Sequence, residues 1–158
     1  MEGIRVHTLC PARMSRRDRV LAAGVSVGCL AVLIVAAWLT PAAGGMGSHH
    51  QLGLRPCGFL ERTGLPCGTC GMTTSFSHFA DGNLLASVYV QPFGAVAAVS
   101  VAMAFWAAGY CATTGRPAYR LLHRLHTGWI AGIILTLWIF AWGWKMWLVI
   151  SGRDGWGA

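Results

Sequence analysis

Three long apolar runs govern what this chain can fold into. Residues 20–39 are twenty positions with no charge, residues 93–112 are twenty more with none, and residues 129–150 are twenty-two with one, Lys145. A helix of about 20 residues rises about 30 Å, the thickness of a bilayer's hydrocarbon core. Lipid offers no partner to a backbone N–H or C=O, so such runs must be helices. Composition agrees. Only 11% of the 158 residues are charged and 55% are hydrophobic, against roughly 25% charged in an average soluble domain. A soluble fold of this size has too much surface to hide so much apolar area. The expectation is an all-α integral membrane protein, one domain over residues 1–158, with three transmembrane helices.

The ends of the runs are marked. Pro41 follows the first, Pro92 falls where the second begins, and Gly115 and Pro117 close the second. The first run could also be a cleaved signal peptide, with Arg13, Arg16, Arg17 and Arg19 ahead of it and Ala42 and Ala43 after it. It exceeds the usual apolar core of about 7–15 residues, so an uncleaved anchor is the expectation.

Arginine and lysine set the orientation. Arg5, Arg13, Arg16, Arg17 and Arg19 precede the first run, and Arg116, Arg120 and Arg124 lie between the second and third. Only Arg55 and Arg62 lie in the first loop, with Lys145 and Arg153 near the C-terminus. This asymmetry predicts a membrane protein with its N-terminus in the cytoplasm and residues 40–91 outside. Trp142, Trp144 and Trp147 fit an aromatic belt at the outer end of the third span, with Trp129 at its inner end. Lys145 is expected to snorkel to that outer interface. The net charge of +7 reads as contact with anionic lipid through Arg120, His123, Arg124 and His126, and no nucleic acid is expected. Gly24 with Gly28, and Gly128 with Gly132, are small-residue pairs on which a partner helix or a second copy could pack.

The outward loop carries the chemistry. Residues 42–48 read as a flexible glycine-rich linker. Residues 72–90 read as two short interfacial helices broken at Asp81-Gly82, with Met72, Phe76 and Phe79 on one apolar face and Leu84, Leu85 and Val88 on another. Between them stands Thr63-Gly64-Leu65-Pro66-Cys67-Gly68-Thr69-Cys70-Gly71-Met72-Thr73-Thr74, with Cys57 upstream.

This run resembles a bacterial membrane family with a TGLPCPxCGxT[RT] core, known as domain of unknown function two-seven-five-two. Cys57-Gly58-Phe59 matches the family's upstream cysteine, and Gln91-Pro92 its Asn-Pro-like pair before a membrane helix. The resemblance covers residues 52–94. Gly68 stands where proline is common and Thr74 where arginine is common, so no anion-binding role of that arginine carries over. The resemblance implies a small membrane protein with a cysteine-bearing loop and supplies no reaction.

Three chemistries fit Cys57, Cys67 and Cys70. A disulfide between Cys67 and Cys70, or between one of them and Cys57, would pin the loop. Thiol–disulfide exchange is the second, because Cys70-Gly71 opens a helix whose dipole lowers a thiol pKa. Metal binding is the third. A closed zinc site takes four ligands, with Cys57 as the third and His78 or His50 as the fourth. His49 and His50 near Met46 suggest copper or haem, although adjacent histidines in a polar loop are most often only a loop. Thr73, Thr74 and Ser75 read as helix caps. Cys10, Cys29 and Cys111 lie outside the loop. No phosphate loop, nucleophile elbow, zincin motif or dinucleotide fingerprint is present. The leading expectation is a structural or accessory membrane component. The alternatives are a thiol-exchange or metal-binding protein acting through Cys67 and Cys70, then a subunit of a transport complex.

Overall fold

The computed structural model describes residues 13–116 and 127–156. Cys10, Pro117, Arg120, His123, Arg124 and His126 lie outside them. Six α-helices follow in chain order: α1 Arg16–Trp38, α2 Gly58–Thr63, α3 Met72–Ala80, α4 Leu84–Val90, α5 Pro92–Thr114 and α6 Thr127–Ile150. A 3-10 turn, Ser48–Leu52, precedes α2. The described residues contain no strand. Helices α1, α5 and α6 are long and apolar enough to cross a membrane, and the chain is an integral membrane protein. Helix α1 starts four residues ahead of position 20 and stops at Trp38, one short of position 39.

Local chemistry sets these limits. Ser15 caps α1, its side chain accepting the Asp18 N–H at 3.1 Å, and the Ser15 hydroxyl donates to the Asp18 carboxylate at 2.8 Å. One backbone donor of the first turn is thereby served, and the Asp18 carboxylate complements the helix dipole. Pro92 opens α5, where a missing N–H costs nothing. Gly115 ends it in the left-handed conformation, φ 69°.

Helices α1 and α5 pack along their length. At one end the Arg19 guanidinium donates to the Ala112 carbonyl at 2.9 and 3.0 Å and to Thr113 at 3.1 Å. These are the unpaired carbonyls of a helix C-terminus, where a cation is favoured. Midway, Ser26 donates to the Phe105 carbonyl at 3.2 Å. The close approach falls at Gly109, where an added Cβ would lie 3.3 Å from the Ser26 hydroxyl. Gly24, Gly28, Gly128 and Gly132 have open space beside them, so none serves a contact among the described residues.

At the other end, α3 and α4 form a hairpin that seats on α1 and α5. Its seat is polar and buried. The Ser75 hydroxyl meets the Ser87 hydroxyl and carbonyl at 2.9 Å and the Gln91 carbonyl at 3.2 Å, and Ser87 returns a bond to the Ser75 carbonyl at 2.8 Å. Ser77 donates to the Leu39 carbonyl at the end of α1. Thr74 meets Ser48 at 3.0 Å, and Ser48 accepts the Ala42 N–H at 2.9 Å. Thr74 and Ser75 are therefore not caps. The residue before α3 is Gly71, and its helix has no side-chain cap. Residues 42–48 are not a loose linker either: Gly45 is buried and Ser48 is fully enclosed.

Lys145 does not snorkel. It is fully buried, its ammonium 2.5 Å from the Asp154 carboxylate and 3.1 Å from the Gly45 carbonyl. The C-terminal tail turns back at Gly152, and Tyr89 donates to the Arg153 carbonyl at 2.9 Å. That return brings Asp154 to the lysine, which therefore has no need to reach for the interface. Trp142 and Trp144 likewise use their indole N–H groups inside the protein, on the Pro66 carbonyl at 3.1 Å and the Tyr89 carbonyl at 2.7 Å. They hold the loop to α6.

Candidate functional site

The three cysteines of the loop converge. Their sulfurs lie within 4.8 Å of one another, with Cys70 buried and Cys57 and Cys67 half-buried. Each comes from a different local device. Cys57 is the residue before α2, a one-and-a-half-turn helix ended by Gly64 at φ 70°. Cys67 and Cys70 flank a turn in which the Cys70 N–H donates to the Cys67 carbonyl at 3.1 Å. Gly71 then reverses the chain into α3 at φ 86°. A side chain there would be strained and would stand 2.9 Å from the Gly45 carbonyl and 3.0 Å from the Lys145 ammonium. The turn is braced from below. Gln91, fully buried, donates to the Gly68 carbonyl at 3.1 Å. The Trp138 indole packs on Gly68 so closely that a Cβ would collide with it. Glycine at this position makes room for that ring.

Hydrogen bonds around the sulfurs are unequal. The Cys67 N–H donates to the Cys70 sulfur at 3.3 Å, and the two sulfurs are 3.3 Å apart. The Thr69 hydroxyl lies 3.4 Å from the Cys67 sulfur. Burial pushes the Cys67 thiol up, yet bonds from the Thr69 hydroxyl and amide, then from Cys70 and Cys57, outweigh it and bring the thiol down to about 7. Burial pushes Cys70 up to about 12, and its bonds with the Cys67 and Cys57 sulfurs act the same way. Placing the activated thiol at Cys70, on the helix-dipole argument, is thus reversed. The helix begins two residues after Cys70, and the local amide and hydroxyl bonds favour Cys67.

The sulfurs stand on the wall of a pocket of about 520 Å³. Met46, His49, His50 and Met72 line its other sides. His50 Nδ1 lies 3.2 Å from the Leu54 carbonyl, which can only accept, so this nitrogen donates and a neutral ring has its lone pair on Nε2. The His49 and His50 rings are 4.3 Å apart. Reading these histidines as an ordinary loop overlooked their position, because the chain crosses residues 51–56, the end of the 3-10 turn and coil, before returning to the cysteines. His78 belongs elsewhere. It sits in α3 outside the sulfur group, where burial holds its pKa below the ordinary histidine value and Asp81 only partly offsets this. Of the other motif residues, Thr73 lines the pocket, Pro66 and Gly71 shape the turn, and Thr63 bonds the Phe59 carbonyl at 2.7 Å to close α2. Leu65 follows it, its N–H 3.2 Å from the Thr63 hydroxyl.

Three sulfurs at this spacing can hold a thiophilic ion. A tetrahedral ion with sulfur bonds of about 2.3 Å asks for sulfurs about 3.8 Å apart, within the span found here. Backbone and hydroxyl donors to sulfur and a glycine after the second cysteine are what such a turn needs to carry thiolate charge. No curated protein and no solved structure matches the chain. Residues 57–105, from the first loop cysteine through the first half of α5, match the family described as a protein of unknown function (DUF2752).

Proposed function

We propose that this protein binds one thiophilic metal ion, zinc(II) or copper(I), through Cys57, Cys67 and Cys70 on the outward face of a bacterial inner membrane. The observation that carries this reading is the convergence of the three sulfurs within 4.8 Å on a pocket wall. Metal content of the full-length chain purified in detergent tests it. About one ion per chain is expected, and Cys67→Ser, Cys70→Ser and the double variant should each lose it, because ligands of one site act as a unit. A wild-type protein that takes up neither zinc(II) nor copper(I) contradicts the reading.

The orientation rests on charge. Arg13, Arg16, Arg17 and Arg19 gather with Arg116 at the end of the α1–α5 pair opposite the cysteines, since Arg19 reaches Ala112 while Leu39 reaches Ser77. The positive-inside rule puts the arginines in the cytoplasm and the cysteines outside. In a cysteine-free variant, an impermeant maleimide should label a cysteine at position 55 in intact cells and not one at position 116.

A second reading is thiol–disulfide exchange, favoured by the 3.3 Å contact between Cys67 and Cys70. The Cys67 thiolate would attack a partner's disulfide, and Cys70 would resolve the mixed disulfide, so that the partner is reduced as this pair is oxidised. Exchange that survives chelation and is lost in Cys67→Ala would favour it over metal binding.

A further inference from the structure

The donors around the pocket discriminate between thiophilic ions. Zinc sites are built almost always from four ligands drawn from cysteine, histidine and carboxylate. Among the described residues, the group of such donors mutually within 4.8 Å stops at the three cysteines. Among the described residues, no carboxylate lines the pocket. Two methionines do, Met46 and Met72, and thioether sulfur is a soft donor that selects copper(I). Met46 enters from the glycine-rich segment ahead of the 3-10 turn and Met72 from the first residue of α3, so the two come from separate stretches of chain. His50 is exposed, with its Nε2 lone pair left available by the Nδ1 bond to Leu54.

We infer that the ion is copper(I), held by the three cysteine sulfurs alone, and that Met46, Met72 and His50 receive it from solvent and pass it inward. This rests on the metal-binding reading above and adds the identity of the ion and its route. The steps balance without an oxidant. Copper stays monovalent throughout. It exchanges a thioether or imidazole for a sulfur, and each thiol that binds gives its proton to water. The ion passes from weak, neutral donors to strong, anionic ones, so the transfer runs downhill.

The test uses the full chain in detergent micelles under anaerobic conditions, titrated with copper(I) from a chromophoric chelator and, separately, with zinc(II). X-ray absorption of the copper-loaded protein should show three sulfur neighbours and no nitrogen. The Met46→Leu, Met72→Leu double variant keeps side-chain volume and should load about tenfold more slowly while its equilibrium affinity stays within about twofold. His50→Gln should slow loading in the same sense. Elution profile and tryptophan emission matching wild type establish that these variants are folded. An unchanged loading rate in the methionine variant overturns the route. A four-coordinate zinc(II) site with a histidine ligand, retained against copper(I), overturns the copper assignment and leaves the metal-binding reading intact. Uptake of neither ion by the wild type overturns both.

Discussion

The three membrane helices and the loop between the first two solve opposite problems. Helices α1, α5 and α6 turn large apolar side chains outward: Val20, Trp38, Trp106 and Phe140 are all exposed. The loop and the short helices turn polar groups inward: Ser48, Thr74, Ser75, Ser77, Ser87 and Gln91 are fully buried. Lipid accepts the first arrangement, since its tails are as apolar as leucine. The second is tolerated only because nearly every buried hydroxyl has a partner. Unpaired, each would cost about 1–3 kcal/mol. The cysteine pocket therefore rests on a scaffold of hydrogen bonds and an ion pair, beside a small apolar core that includes Ala86, Val90 and Leu148.

If that contrast is right, the largest loss should come from the ion pair. Asp154→Ala leaves the Lys145 ammonium buried without its carboxylate and should cost about 3–5 kcal/mol in detergent unfolding followed by tryptophan emission. Adding Lys145→Met should recover most of it, a result that a merely exposed pair could not give. Next is the brace under the turn. Gly68→Ala drives a Cβ into the Trp138 ring and should cost about 1–3 kcal/mol, with Trp138→Leu restoring stability in the double variant. Ser75→Ala removes the donor to the Ser87 and Gln91 carbonyls and should cost about 1–2 kcal/mol. A neutral outcome at Ser75 would say that apolar packing holds the hairpin after all.

A smaller effect sharpens the site itself. In the metal-free, reduced protein, Cys67 alkylation should switch on with a midpoint near pH 7, the value to which its hydrogen bonds lower it, while Cys70 stays protected across that range. Thiolate is the reactive form, so the rate rises as pH passes the midpoint from below. Cys70→Ala removes one of the bonds that lower Cys67 and should move its midpoint upward. The smallest effect belongs to the exposed face of α4. Leu85 is 74% exposed, and Leu85→Ala should change stability by no more than about 0.5 kcal/mol.

These contrasts also explain which parts of the molecule were legible in the sequence. The spans were read from composition, because a hydrocarbon solvent imposes length and apolarity residue by residue. The α3–α4 hairpin was read from its periodicity and from Asp81-Gly82, where Gly82 takes φ 78°. Helix α2 and the 3-10 turn were missed: each is under two turns long and carries no periodic signal. Cys57, Cys67 and Cys70 stood out as candidate residues, and their spacing was compatible with convergence. The partnership of Lys145 with Asp154 and Gly45 was not legible, nor was Trp138 on Gly68. Those contacts join residues 70 to 100 positions apart, or depend on a tail that folds back through Gly152. A lone lysine in a span reads as an interfacial anchor until the residue that neutralises it is found. Likewise, His50 and Met46 acquire chemical meaning only from the pocket they share with the cysteines.

The central claim is that Cys57, Cys67 and Cys70 form a single metal-binding unit. Counting accessible thiols with a mass-tagged maleimide in native membranes tests it most directly, with the full-length chain first supplied with copper(I) or zinc(II). The metal-loaded protein should resist tagging at all three positions, and a chelator alone, without reductant, should expose the three together. Three independent tags on the loaded protein before any chelator is added would contradict the claim, and protection released by reductant but not by chelator would replace it with a disulfide.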